Sequence, residues 1–182
     1  MPRVLVPLAE GFEEIEAITV VDILRRAGID VVMAALESLH VKGAHGINVV
    51  ADALLSESDE AHFDMIVLPG GLPGAVNLAE SFTLHQLLQR FDKQKKAIAA
   101  ICAAPLALKA AGVLKNAYTC YPSFELKIKH AGYRNDSDVI RDENIVTSKG
   151  PRTAMVFALT LVEILISKEA SLTLQKDLLL IQ

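Results

Sequence analysis

The stretch Ala97-Ile98-Ala99-Ala100-Ile101-Cys102-Ala103-Ala104-Pro105-Leu106-Ala107-Leu108-Lys109 changes character at Cys102. Before it, Ala97 to Ile101 is a short apolar run of the kind that fills a strand buried on both faces. After it, Ala103 to Lys109 reads as a helix with proline in its first turn, where the missing N–H costs nothing. Cys102 therefore stands at a strand-to-helix elbow with helix-end N–H groups beside its sulfur. Their partial positive charge favours thiolate over thiol and makes the sulfur a nucleophile or an oxidisable group. A cysteine among alanines is also an ordinary small buried hydrophobe, and position alone does not separate the two readings.

Working outward from the elbow, strand-like and helical runs alternate. Arg3 to Leu8 reads as a strand, Glu13 to Ala27 as a helix closed by Gly28, and Asp30 to Leu36 as the next strand. Asp64 to Leu68 gives another strand, followed by a helix from Ser81 to Phe91 and the Ala97 to Ile101 strand. Beyond the elbow, Pro122 to His130 reads as a helix, with Val139-Ile140 and Ile145 to Thr147 as short strands. Pro151 opens a long helix ending near Ile166, and an amphipathic stretch runs from Glu169 to Leu180. Leu39-His40-Val41 and Ile47 to Val50, on either side of Gly43 to Gly46, form a hairpin excursion. The alternation predicts a doubly wound α/β fold with a mostly parallel sheet and helices on both faces. Without a repeat, low-complexity tract or linker, residues 1–182 are expected to form one domain.

Composition narrows the function classes. Hydrophobic residues make up 52% of the 182 and mean hydropathy is +0.35. The most apolar segment, Ala154 to Ile166, is interrupted by Thr160 and Glu163 and is too short for a membrane span, so a large buried sheet or a subunit interface is the expected home for the excess. A net charge of -4 excludes a general nucleic-acid binder, which needs a concentrated basic surface. Met1-Pro2-Arg3-Val4 lacks the pattern of a signal peptide, and a reducing, cytoplasmic location is the expectation. There Cys102 and Cys120 are expected to stay unpaired. With the histidines scattered, no ligand pair stands at zinc spacing, so neither metal nor cofactor is expected.

Ligands in open α/β sheets bind beyond the carboxyl ends of the strands, which directs attention to Ala9 to Glu13, Pro69 to Gly74 and Ile101 to Ala103. Glu13 and Glu14, at the start of the first helix, are explained by the helix dipole. Glu16 is different: it shares a helical stripe with Val20, Ile23 and Ala27, while Thr19, Asp22, Arg25 and Arg26 lie towards the other side. Facing the sheet, its carboxyl is expected to be desolvated, to hold its proton near neutrality and to donate a hydrogen bond to a sulfur. A Glu16 that caps a neighbouring backbone group is the other reading. Pro69-Gly70-Gly71-Leu72-Pro73-Gly74 matches neither the P-loop nor the dinucleotide pattern. It reads as a loop aiming N–H groups at an oxyanion beside the sulfur, and equally as a tight turn.

Taken in order, Ala9-Glu10-Gly11-Phe12-Glu13-Glu14-Ile15-Glu16, Asp22 to Gly28, Val67 to Gly71, Ala99 to Ala103 and Thr147 to Pro151 resemble the DJ-1/PfpI superfamily, within it the DJ-1/YajL (ThiJ-like) branch. The resemblance implies a flavodoxin-like sandwich that forms a homodimer through the first helix and the segment after Leu39. It implies Cys102 as nucleophile, Glu16 as its protonated partner, and N–H groups around Gly70, Gly71 and Ala103 as an oxyanion hole. The implied activities are glyoxalase III-type conversion of 2-oxoaldehydes, deglycation of small or protein-bound adducts, or redox sensing and chaperone action through a Cys102 sulfinate. Two positions depart from the family pattern. Tyr121-Pro122 replaces a histidine-proline pair, as in YajL-type proteins, which argues against a peptidase and makes Tyr121 a pocket wall. Arg152 replaces a turn glycine, where it binds an anion, narrows the entrance or points to solvent. His45-Gly46 occupies a stretch where relatives present an arginine from the partner subunit, so anion affinity is expected to be redistributed.

Overall fold

A computed structural model describes residues 1–58 and 60–181. In chain order its elements are β1 (Arg3–Leu8), α1 (Glu14–Arg26), β2 (Asp30–Ala35), β3 (His40–Lys42), β4 (Asn48–Val50), β5 (Ala53–Leu54) and β6 (Met65–Leu68). There follow α2 (Gly74–Glu80), α3 (Phe82–Lys93), β7 (Ala97–Ile101), α4 (Pro105–Ala110), α5 (Glu125–Ile128), β8 (Val139–Asp142), β9 (Ile145–Ser148), α6 (Ala154–Leu165) and α7 (Lys168–Asp177).

The seven-stranded sheet has the order β5-β2-β1-β6-β7-β9-β8. Every pairing in it is parallel except that of the edge strand β8 with β9. This is the flavodoxin-like α/β arrangement, in which the chain winds one way from β1 to β2 and then the other way through β6, β7 and β9. The reversal falls between β1 and β6. Their carboxyl ends, with that of neighbouring β7, open at one edge of the sheet, as expected from the strand-end residues.

Continuous apolar strands are what a sheet covered on both faces requires. Leu5, Leu8, Ile66, Leu68, Ile98 and Ile101 are fully buried. On one side α1 packs against α6, and α2 and α3 pack with α4 against the sheet elsewhere. The polar, glycine-bearing segment is the expected excursion, a two-stranded antiparallel sheet of β3 and β4. Its turn docks on the start of α1, where Gly11 N–H donates to Lys42 O and Ala44 N–H to Phe12 O, both at 2.8 Å. Among the described residues no helix is long and apolar enough to cross a membrane.

Three boundaries differ from the sequence reading, each for a local reason. The helix expected over Pro122 to His130 is only the short α5, because Ser123 and Lys129 both adopt positive φ (75° and 50°) and bracket it. Pro151 opens a 3₁₀ turn, and α6 begins at Ala154. Thr153 Oγ1 there bonds Gly150 N–H and O and the Ser148 hydroxyl, offering the backbone an alternative to helix. The two-residue edge strand β5 carries too little pattern to be read.

Candidate active site

Cys102 lies immediately after β7 with φ of 64°, a conformation that costs a non-glycine residue about 1–2 kcal/mol. Neighbouring elements hold it there. Cys102 N–H donates to Ser148 O at the end of β9, and Tyr121 N–H donates to Cys102 O, both at 2.9 Å. The elbow is thus fixed through its backbone, and Cys102 is buried, with 8% of the residue's surface exposed.

The glycine loop after β6 closes over it. A Cβ on Gly70 would lie 2.6 Å from Cys102 Cβ and 2.8 Å from Glu16 Oε2, so only glycine lets the loop come this near. The N–H groups of Gly71 and Ala103 both point at the Cys102 sulfur. A loop that approaches the sulfur this closely goes beyond a plain tight turn.

Glu16 is fully buried, as the helical stripe required. Its Oε2 accepts from Gly70 N–H at 2.8 Å, and its Oε1 is buried without a nitrogen or oxygen partner. The carboxyl also hydrogen-bonds Cys102, and burial pushes it up to about 7. The sulfur differs from expectation. Burial, and then the negative charge of Glu16, raise the Cys102 thiol above its usual range, while the Gly71 and Ala103 N–H groups pull it down. The sequence reading has helix-end N–H groups and a protonated Glu16 both favouring thiolate, and lacks the burial of the sulfur and the charge of an ionised Glu16. Two such groups in contact do not both ionise near neutrality, so at most one negative charge sits on the pair and sulfur and carboxyl titrate together.

Cys102, Gly71, Ala103 and Tyr121 line a cleft of about 350 Å³, with Phe124 on the apolar side and Glu13 and His45 on the polar side. Tyr121 stands as a wall, its ring against Gly150. Arg152 does not reach this cleft. It belongs to a separate cavity beyond Tyr121, lined also by Lys149 and Pro151, and its guanidinium is held by Asp138 at 2.7 Å. Of the alternatives open for Arg152, the structure shows the one that points to solvent and not the pocket role, with the side chain turned outward to an acidic partner. Cys120 is fully buried beside Tyr121, and both cysteines are free.

Sequence reasoning missed the work of Glu14 and His45. Glu13 caps α1, accepting from Glu16 N–H at 2.7 Å. Glu14 points away from that helix end to the hairpin, where it accepts from His45 N–H at 2.7 Å and meets His45 Nδ1 at 2.9 Å. This ion pair lowers the Glu14 carboxyl and raises the His45 imidazole. His45 thus lines the cleft of its own chain. Two adjacent carboxylates at one helix start were the available signal, since only one can cap the same N–H.

The DJ-1/PfpI family model matches residues 2–164. The chain is 42% identical over 181 residues to protein DJ-1 homolog B of Arabidopsis thaliana, covering 98% of this chain but only 41% of that longer protein. With glutathione-independent glyoxalase DJR-1.2 of Caenorhabditis elegans it shares 39% identity over 172 residues, 94% of this chain and 92% of that one. The crystal structure of Drosophila melanogaster DJ-1beta superposes with a TM-score of 0.94 at 40% identity, covering 98% of this chain and 97% of the other. A family match of that extent, together with a relative 39% identical over 92% of its own length, establishes that the chain belongs to the DJ-1/PfpI family.

Proposed function

We propose that this protein is a cysteine-dependent stress-protection enzyme acting on reactive 2-oxoaldehydes or their glycation adducts. The observation that carries the reading is the Cys102 elbow, with two N–H donors at its sulfur and a buried carboxyl hydrogen-bonded to it. One relative's name, glutathione-independent glyoxalase, supports the substrate class.

In the proposed reaction Cys102 sulfur attacks the aldehyde carbon of methylglyoxal while Glu16 takes the thiol proton. The new hemithioacetal oxygen is received by the Gly71 and Ala103 N–H groups and is then protonated by the Glu16 carboxyl, which returns to the carboxylate. Glu16 moves a proton from C1 to C2 through an enediol, giving a lactoyl thioester with no net oxidation. Water hydrolyses the thioester to lactate and restores the thiol. Purified protein is expected to form lactate from methylglyoxal without glutathione or any other added cofactor.

The same donors suit a second reading, a redox sensor or chaperone. Two equivalents of peroxide each deliver one oxygen to Cys102 sulfur and leave as water, and the N–H groups and the Glu16 carboxyl hold the resulting sulfinate. Both readings need Glu16 beside the sulfur. Glu16→Leu is expected to lower the rate of lactate formation from methylglyoxal by about a hundredfold or more, because the carboxyl that takes the thiol proton and moves the proton from C1 to C2 is gone. An unchanged rate would mean that the N–H groups activate Cys102 alone.

For the assembly we propose a homodimer through α1 and the hairpin. Ile15 and Ile18 on α1, with Ile47 and Val50 beside them on the hairpin segment, are exposed apolar side chains on adjoining elements. Ile15→Asp combined with Ile47→Asp is expected to give monomers in light scattering. A dimer of unaltered strength in that variant moves the interface elsewhere.

A further inference from the structure

The ligand atoms of Glu13, Glu14 and His45 all lie within 4.8 Å of one another, and two of the three residues, Glu13 and His45, line the cleft. We propose that they form a binding site for a first-row divalent cation, for which zinc is the matched probe. The inference does not depend on the reaction proposed above.

The donor set is one imidazole nitrogen and two carboxylate oxygens, the three-ligand pattern that leaves a zinc position open. Its geometry is built in advance. Each carboxylate ties down one oxygen with backbone N–H groups: Glu13 Oε2 from Glu16 at 2.7 Å, and Glu14 Oε1 from His45 at 2.7 Å and Ile47 at 3.3 Å. The opposite oxygens, Glu13 Oε1 and Glu14 Oε2, both face His45 Nδ1, at 3.8 and 2.9 Å. Backbone donors that orient the coordinating carboxylates are the support that metal sites use.

Charge points the same way. Glu13 and Glu14 are buried side by side, and one imidazolium balances only one of them. A dication at about 2.0–2.2 Å from each donor neutralises both. Reaching those distances draws the three atoms closer together, a movement open to His45, whose side chain is 71% exposed at the hairpin turn. The opposing term is the partial positive charge of about one half at the start of α1. It is weaker than two full carboxylates, and Glu13 Oε2 already caps it. Spacing rules miss this site because the helix start and the hairpin are 31 residues apart and meet only in the fold.

Glu13 and His45 line the cleft that holds Cys102, so a hydrated ion between them crowds the approach to the sulfur. The test uses the full chain, stripped with chelator and desalted, then titrated with Zn²⁺ against a chromophoric zinc chelator. Wild type is expected to take up one equivalent per chain. His45→Ala and Glu14→Gln, the latter keeping an acceptor for the hairpin N–H groups, are expected to weaken uptake at least tenfold with unchanged thermal melts. Cys102→Ser is expected to bind as wild type does. In parallel, Zn²⁺ slows iodoacetamide alkylation of Cys102 in wild type and not in His45→Ala. The proposal is overturned by wild type that takes up no zinc, by His45→Ala that binds normally, or by loss of the site in Cys102→Ser, which would place the ion on the sulfur.

Discussion

Cys102→Ser is expected to bring lactate formation from methylglyoxal down to the rate in buffer, a fall of roughly a thousandfold or more from a working enzyme. The substitution keeps the shape of the side chain, and Gly71, Ala103 and Glu16 remain to bond its hydroxyl. What it removes is a group whose proton the Glu16 carboxyl, at about 7, is able to take. A serine hydroxyl holds its proton far more tightly than a thiol, and the alkoxide is not formed in this pair. The measurement is turnover by the two purified proteins, with thermal melts to show that both are folded. A serine protein retaining a tenth of the wild-type rate would falsify the sulfur mechanism. Wild type no faster than the serine protein, while mild peroxide gives a Cys102 sulfinate by mass spectrometry, leaves the sensor reading standing and the enzyme reading not.

The second large effect is expected at Gly71. Its φ is 91°, and a Cβ there would lie 2.3 Å from Glu13 N and 2.5 Å from Gly11 O, both backbone atoms that cannot swing away. Gly71→Ala therefore combines a conformational cost of about 1–2 kcal/mol with an overpacking cost of about 1–3 kcal/mol. Gly28 provides the control, because it has a φ of 77° and no atom within 4 Å of the place a methyl group would take. Gly28→Ala is expected to show only the first cost. Denaturant midpoints should separate the two variants, and only Gly71→Ala should also slow Cys102 alkylation, since the displaced strand end carries an N–H group that faces the sulfur. Equal losses at both sites would show that the loop relaxes around the methyl group.

Much of the fold is legible because its strands are buried on both faces and its helices are striped. The apolar run of β1 has the observed ends, and Glu16 stands out as a carboxyl on an apolar stripe. The elbow is legible for the same reason: an apolar strand cannot run into Ala103-Ala104-Pro105 without turning. Short or side-chain-driven features are not legible. β5 is too short for a pattern, and the Thr153 bonds that delay α6 join residues whose types occur in any turn. Arg152 is a departure from a family glycine with nothing in the chain to give its direction, which Asp138 supplies only in three dimensions. The Cys102 thiol illustrates the remaining limit. Helix-end donors are visible in sequence, whereas the burial and the Glu16 charge that oppose them are set by how closely Gly70 lets the segments approach.

Negative charge on the Cys102–Glu16 pair, with Glu13 also lining the cleft, gives it a sense of direction. A neutral aldehyde enters without electrostatic resistance. A hydroxy-acid carboxylate formed beside those groups meets like charge in a partly desolvated space, with His45 as the nearest counterweight. Under the proposed reaction, the acidic surroundings that make the sulfur hard to ionise also act as an exit drive, biasing occupancy towards uncharged carbonyl compounds and against the accumulation of product.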